Sequence, residues 1–352
     1  MAPPPLTPPV PLFPLKPTVG LKKDMKLDDA VNAAVKAVVD AEPGKPAAKF
    51  SLSLIDLNGD RYGVFNDNQE HYAASAVKIA VMYAAYALLG MVKRYNDLRA
   101  PSSPKALFDG LRTEMNTPIE QSSSLIRGGV TAQYRLPAYE KVFAPGKMGS
   151  KLLIRFHPGF ASAMSDMIVL SKNERTAACI HGIGYSYLNG VLENGGFFKP
   201  ADKKGVWLAG DYTGAWPYVR IPSDNDIDTA QGATSLTLAH LMAVIFFDNN
   251  LLGASHIEMN NLLKRAAFAS WFLAKEVSNR LVDTQVTHAK IGVGPMKRKM
   301  GGHDVYSEAT VLKGIERSGQ YYVAAFTNVD YKPYAIDHVL AAIKGAVKRY
   351  EH

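Results

Sequence analysis

Ser75-Ala-Val-Lys78 sets a hydroxyl and an amine three residues apart. On a helix this spacing brings both side chains to one face, close enough to hydrogen-bond. A serine hydroxyl is a weak nucleophile at neutral pH until a neighbouring base takes its proton. A lysine amine can serve as that base once burial and nearby cations lower its pKa. The pair therefore points to acyl transfer through serine. A second pair of the same spacing, Ser102-Ser-Pro-Lys105, is expected to form a surface turn, because proline disfavours a helix there.

What surrounds Ser75 separates the two. Upstream lie Lys49-Phe-Ser-Leu-Ser-Leu-Ile-Asp56, then Asn58-Gly59, then Arg61-Tyr-Gly-Val-Phe65. Asn-Gly between two strand-like runs predicts a β-hairpin. Downstream, Ile79-Ala-Val-Met-Tyr-Ala-Ala-Tyr-Ala-Leu-Leu89 is too apolar for a surface helix and predicts a buried one. A charged Lys78 at the head of a buried helix needs a partner or a chemical task. The plain alternative is a capping serine beside a solvated lysine.

The elements that must position this pair follow from the rest of the chain. Residues 27–41 read as an amphipathic helix ending before Pro43-Gly44, and 336–350 as a closing helix with Val339, Leu340, Ile343 and Val347 on one side. Three β-rich runs, at 287–293, 307–315 and 320–327, precede that closing helix, the last two joined by a tight turn near Ser318-Gly319. Two strands early and three late predict an α+β fold: a five-stranded antiparallel sheet flanked by N- and C-terminal helices. Helical stretches at 164–191 (in two pieces), 233–247 and 254–277 then form an inserted all-helical lobe. The expected organisation is a proline-rich tail at 1–26, a sheet lobe from 27–74 and 285–352, and a helical lobe at 75–284 with an insertion around 100–161.

Bulk properties narrow the function classes. A chain of 352 residues can hold one large domain or two intertwined ones, and 47% hydrophobic with 20% charged residues is ordinary for a globular protein. A formal net charge of +8 favours anionic partners such as carboxylate substrates or bacterial envelope polymers. The basic residues are scattered and form no nucleic-acid module. Cys179 is the only cysteine, so no intrachain disulfide is expected. No stretch reads as long and apolar enough to span a bilayer. The N-terminus, Met1-Ala-Pro-Pro-Pro-Leu-Thr-Pro-Pro-Val-Pro, lacks the charged start and apolar core of a signal peptide. It reads as an extended polyproline tail, such as removal of an export signal would expose.

Ser-x-x-Lys, then Ser-Asp-Asn, then Lys-Thr-Gly is the signature of class A β-lactamases and penicillin-binding proteins. Versions of all three occur here in that order: Ser75-Ala-Val-Lys78, Ser171-Lys172-Asn173 within Met167-Ile-Val-Leu-Ser-Lys-Asn-Glu-Arg-Thr-Ala-Ala-Cys-Ile180, and Lys290-Ile291-Gly292 opening the first late strand. Ala233-Thr-Ser-Leu-Thr-Leu-Ala-His-Leu-Met242 also resembles the family's helix after its active-site loop. The chain thus resembles the serine β-lactamase and penicillin-binding-protein superfamily over roughly 27–350, with 100–161 unmatched. The resemblance implies Ser75 as nucleophile, Lys78 as its base, Ser171 as proton relay and Lys290 as the positive charge that tunes it. It further implies Asn173 as a holder of Lys78 and of the substrate amide, and an oxyanion site between the N–H groups of Ser75 and Val293, next to Gly292. Singly, Ser171 reads as a helix cap, Asn173 as a turn residue and Lys290 as a solvated strand end; their order and contexts favour the joint reading. The implied substrate is a small molecule or peptide with a scissile amide, ester or β-lactam carbonyl, and the implied location is periplasmic or extracellular. A catalytically impaired binding protein and an esterase are the alternatives.

Competing signals are weaker. Ser223-Asp224-Asn225 is a literal Ser-Asp-Asn, but it lies in a loop just before the helix at 233. Tyr187-Leu-Asn189 matches a Tyr-x-Asn element used elsewhere in the superfamily, yet falls inside an expected helix and reads as core packing. Asp224, Asp226 and Asp228 alternate like a calcium loop, but the needed glycine is missing and Ser235 stands where the bidentate glutamate belongs. The nine histidines show no metal-ligand spacing, so neither a metal nor another cofactor is expected.

Three departures from the family pattern bear on activity. Ile291 replaces a hydroxyl residue that helps bind the substrate carboxylate. Lys172 replaces an aspartate and is expected to add a cation beside the site. The 195–228 loop has no Glu-x-x-x-Asn element to activate a deacylating water; Asp211 and Glu193 are the nearest acids. Slow hydrolysis of an acyl-enzyme, rather than efficient β-lactam turnover, is the expectation.

Overall fold

The computed structural model describes residues 9–17, 20–41, 50–126, 132–149, 151–213, 219–247, 251, 254–269, 285–296, 304–314, 319–330 and 333–352. In chain order the elements are β1 (Lys22–Lys23), α1 (Met25–Asp40), β2 (Ser51–Asp56), β3 (Arg61–Phe65), α2 (Lys78–Arg99), α3 (Pro104–Gln121), α4 (Ala132–Arg135), α5 (Tyr139–Val142), β4 (Gly146–Met148) and β5 (Lys151–Leu153). Next come α6 (Pro158–Val169), α7 (Asn173–Ile183), α8 (Tyr185–Asn194), β6 (Phe198–Lys199), β7 (Lys204–Gly205), β8 (Trp207–Leu208), β9 (Gln231–Gly232), α9 (Ser235–Phe247) and α10 (Ser255–Ala269). The chain closes with β10 (Gln285–Pro295), β11 (Asp304–Lys313), β12 (Tyr321–Asp330) and α11 (Pro333–Glu351).

The main sheet runs β1-β3-β2-β12-β11-β10, and every pairing is antiparallel except the parallel pairing of β1 with β3. The five expected strands are therefore present, and the two-residue β1 adds an edge. Both faces are covered, so β2 is buried along its whole length. On one face, α1 and α11 cross the sheet and enclose Leu27, Val31, Leu54, Tyr322, Phe326, Val339, Ile343 and Val347 in one core. The Asp24 carboxylate caps α1 by accepting from the Leu27 N–H at 2.9 Å. A larger core links the opposite face of the sheet to the helical lobe and is centred on α2.

Several sequence expectations need correction. Pro104 does not make a surface turn. Ser103 accepts from the Ala106 N–H at 3.1 Å, and Pro104 opens α3 as its first residue, where the missing N–H costs nothing. The helical stretch expected in two pieces at 164–191 is three helices, α6 to α8. The hairpin at Asn58-Gly59 is a four-residue turn between partners Asp56 and Arg61, with Asp60 rather than Gly59 taking the left-handed backbone (φ 51°). One segment, Ala74–Arg99, is long and apolar enough to cross a membrane by length and composition; 94% of its apolar window is buried, which marks a core helix. Of the late expectations, residues 270–277 and 315–318 lie outside the described residues; Gly319 has φ 92°.

Residues of the proline-rich segment also pack on the helical lobe. The Phe13 ring lies 5.6 Å from that of Tyr187, and Arg94 donates to the Pro11 carbonyl at 3.3 Å.

At Gly63, β3 passes so close to α1 that an added Cβ would lie 2.5 Å from the carbonyl carbon of Leu27. Since backbone cannot yield as a flexible side chain does, Gly63→Ala is expected to cost about 1–3 kcal/mol, read as a lower urea midpoint at unchanged slope.

Candidate active site

The turn that carries Ser75 is braced from outside its own helix. Asp224 accepts from the Glu70 N–H at 2.7 Å, and its own N–H donates to Glu70 O. Asn225 pairs with Tyr72 as a strand would, accepting from its N–H at 2.8 Å and donating to its carbonyl at 3.1 Å. The literal Ser-Asp-Asn at 223–225 thus holds the approach to Ser75. Residues 74–77 then form a 3-10 turn running directly into α2, with Ala74 in the left-handed region at φ 49°. A non-glycine residue there carries about 1 kcal/mol or more of strain. Tyr212 holds that carbonyl: its O–H donates to Ala74 O at 3.0 Å.

Strand β10 lies against this turn. At Gly292 an added Cβ would collide with Ala73 O and Ala76 N and lie 2.8 Å from Ser75 N. Only glycine lets the strand backbone approach the Ser75 amide so closely. Ile291 and Val293 pack on the core beneath the terminal helices.

A polar cluster sits beside the turn. Lys78 is fully buried, and its Nζ donates to Ser171 O at 2.7 Å and to Asn173 Oδ1 at 2.8 Å, with Ser171 Oγ at 3.5 Å. Lys290, also buried, donates to Ser171 Oγ at 2.8 Å and to Ile291 O at 3.0 Å. Ser171 makes this convergence possible by adopting φ 56° between α6 and α7, which turns both its carbonyl and its hydroxyl toward the lysines. Asn173, the first residue of α7, is exposed.

Burial is the main reason that Lys78 is pushed down to about 7, with the field of Glu174 opposing. Lys290 is likewise pushed down to about 7, by burial first and then by the charge of Lys78, while Glu308 opposes. Two amines sharing one hydroxyl hold fewer than two protons near neutrality.

The structure thus gathers Lys78, Ser171, Asn173 and Lys290 into one cluster and sets Gly292 against the Ser75 amide. Ser75 is half-buried, and its Oγ has no hydrogen bond among the described residues. Lys172 departs from expectation: its ammonium pairs with Asp166 at 3.1 Å and so is drawn away from the cluster. Asp211 is turned to His181 at 3.3 Å, and Glu193 accepts from the Ser123 hydroxyl at 2.6 Å; neither acid makes a described hydrogen bond or ion pair to the lysines. Asn189 spends its amide on the backbone of Tyr185 and Leu208. Among the described residues no group of three or more His, Cys, Asp or Glu could hold a metal.

Tyr212 is the site residue that sequence reasoning missed. Its ring lies over Lys78, with Nζ 4.7 Å from the centroid, and its own backbone is left-handed at φ 67°. No motif marks it, although the neighbouring Asp211 stands out as an acid.

No protein-family model and no curated protein sequence matches the chain. Solved structures do. A class A β-lactamase of Bacteroides cellulosilyticus superposes with a TM-score of 0.52 at 13% identity, over 92% of this chain and 97% of that one. A β-lactamase of Chitinophaga pinensis gives 0.51 at 12% identity, over 90% and 97%. PBP-A gives 0.51 at 15% identity, over 94% and 98%. The fold is that of the serine β-lactamases and penicillin-binding proteins, shared along nearly the whole chain.

Behind β10, Glu308 is fully buried with the Tyr306 hydroxyl donating to Oε2, while Oε1 has no partner among the described residues. Burial pushes its carboxyl up from 4.5 to about 8, with the Tyr306 hydrogen bond and Lys290 opposing. A carboxyl raised in this way stabilises the fold fully below its unfolded pKa and loses that contribution as pH rises toward 8. Glu308→Gln has no such loss, so its Tm is expected to gain on the wild type between pH 5 and pH 8. A constant Tm difference over that range would count against the assignment.

Proposed function

We propose that the protein is a serine hydrolase of the β-lactamase and penicillin-binding-protein type, forming an acyl-enzyme at Ser75 with an amide, ester or β-lactam substrate. The observation that carries this reading is the hydrogen bonding of Lys78. Its two close partners, Ser171 O and Asn173 Oδ1, are both acceptors. A neutral amine therefore spends both N–H groups on them and keeps its lone pair free to take a proton. With its pKa near 7, a large fraction of Lys78 is in that form at neutral pH.

Acylation then runs as follows. Ser75 Oγ attacks the carbonyl carbon and its proton passes to Lys78 Nζ, while the oxyanion is held between the N–H groups of Ser75 and Val293. The proton moves from Lys78 to Ser171 Oγ, 3.5 Å away, and on to the leaving nitrogen or oxygen as its bond to carbon breaks. Lys290, donating to the same hydroxyl at 2.8 Å, keeps positive charge at the point of transfer and favours an anionic substrate. Asn173, exposed beside Lys78, would take the substrate's amide side chain. Such substrates are cell-envelope peptides or β-lactams, and the reading includes a place outside the cytoplasm. Among the described residues no carboxylate makes a hydrogen bond or ion pair to Lys78 or Lys290, which supports slow deacylation over efficient β-lactam turnover.

Incubation with benzylpenicillin or a fluorophosphonate, followed by intact-mass measurement, is expected to give one adduct on the wild type and none on Ser75→Ala. Failure of both probes on wild type favours a binding protein that retains the fold. Chromogenic cephalosporin against p-nitrophenyl ester turnover then divides lactamase from esterase. Lys78→Met should slow labelling by about 10²–10⁴-fold, the usual worth of a positioned base. Because the reactive form has Lys78 neutral and Lys290 charged, the labelling rate should follow a bell-shaped pH profile. A rate that only rises with pH would argue against Lys290 as the charge at the relay.

A further inference from the structure

The hydrolytic half of such a reaction needs a water molecule beside the acyl ester and a base within hydrogen-bond reach of that water. Among the described residues the base at the cluster is Lys78, and its surroundings decide whether water can reach it. Two directions about Nζ are taken by Ser171 O and Asn173 Oδ1. The Tyr212 ring lies beside the amine, its centroid 4.7 Å from Nζ. That ring is held at both ends. The hydroxyl is tied to the carbonyl of Ala74, the residue before Ser75, and the backbone at Tyr212 is fixed in a left-handed conformation. The phenol therefore spans from the carbonyl before Ser75 to one side of the base. The one acid next to it in sequence, Asp211, is spent on His181 and on the Thr213 N–H. An aromatic face offers a water molecule no strong acceptor and occupies the volume it would need.

We propose that the Tyr212 ring keeps water from the Lys78 side of the Ser75 acyl-enzyme and so gives that intermediate a long lifetime. The inference rests on the acylation reading above and adds to it a physical cause for slow hydrolysis. In the suppressed step, water oxygen would bond to the acyl carbon, the Ser75 Oγ–carbon bond would break, and the water proton would return through Lys78 to Ser75. The ring withholds the water from this step and takes no part in the bond changes. Acylation needs no water, because the substrate brings its own carbonyl to Ser75.

The test labels the purified protein with benzylpenicillin, removes free probe and follows loss of the adduct by intact mass. Tyr212→Ala is expected to lose the adduct at least about tenfold faster than wild type, a change of about 1.4 kcal/mol in the barrier. Tyr212→Leu should do the same with less disturbance beneath Ala74, and serves if the alanine variant does not fold. Tyr212→Phe keeps the ring but not the tether to Ala74; it should label several-fold more slowly yet hold its adduct. A merely structural role for Tyr212 would not give that split. Adducts on the Ala and Leu variants that last as long as on wild type overturn the inference and leave the acylation reading intact. A Phe variant that hydrolyses as fast as Ala also overturns it, by assigning the effect to the hydroxyl. No adduct on wild type with penicillin or fluorophosphonate removes the acylation reading, and this inference with it.

Discussion

Two lysine amines buried within reach of one serine hydroxyl are the constraint on which this molecule turns. Moving a charge out of water is costly unless good acceptors replace the lost hydration, and two like charges side by side raise the cost further. Lys78 and Lys290 meet that cost with the Ser171 carbonyl and hydroxyl, the Asn173 amide oxygen and the Ile291 carbonyl. Those acceptors come from the junction of two helices in the middle of the chain and from a strand near its end. The helical lobe and the sheet are therefore held together by a polar contact as well as by the apolar core centred on α2.

The backbone carries the matching strain. Ala74, Ser171 and Tyr212, three of the described non-glycine residues with positive φ, all touch this cluster or lie next to Ser75. Each aims a group that a relaxed backbone would point elsewhere: the Ser75 turn, the Ser171 hydroxyl and the Tyr212 ring. Strain of this kind persists only where the surroundings over-determine it. Here the brace is visible in Asp224 and Asn225 gripping residues 70–72, and in β10 pressed against the turn at Gly292.

The sheet and its flanking helices could be read from the sequence because period-2 and period-3.6 patterns are local and both terminal helices have strong apolar stripes. Ser171 and Asn173 stood out by the company they keep, Met-Ile-Val-Leu before and Thr-Ala-Ala after, although the cleaner Ser-Asp-Asn lies at 223. The role of that second motif was not legible, because side-chain pairing with Tyr72 depends on how a loop closes across some 150 residues of chain. Tyr212 was hidden for the same reason: its contacts with Ala74 and Lys78 are made by a loop whose path no local pattern encodes. Pro104 misled through an averaged rule, since proline breaks a helix interior but is favoured at its first residue.

The helix that presents Lys78 has the length and composition of a membrane span, yet the folded protein hides nearly all of it. An unfolded chain therefore exposes a stretch that a bilayer, or a neighbouring unfolded copy, would accept as readily as its own core does. Early burial of this segment by its partner helices would shorten that exposure during folding.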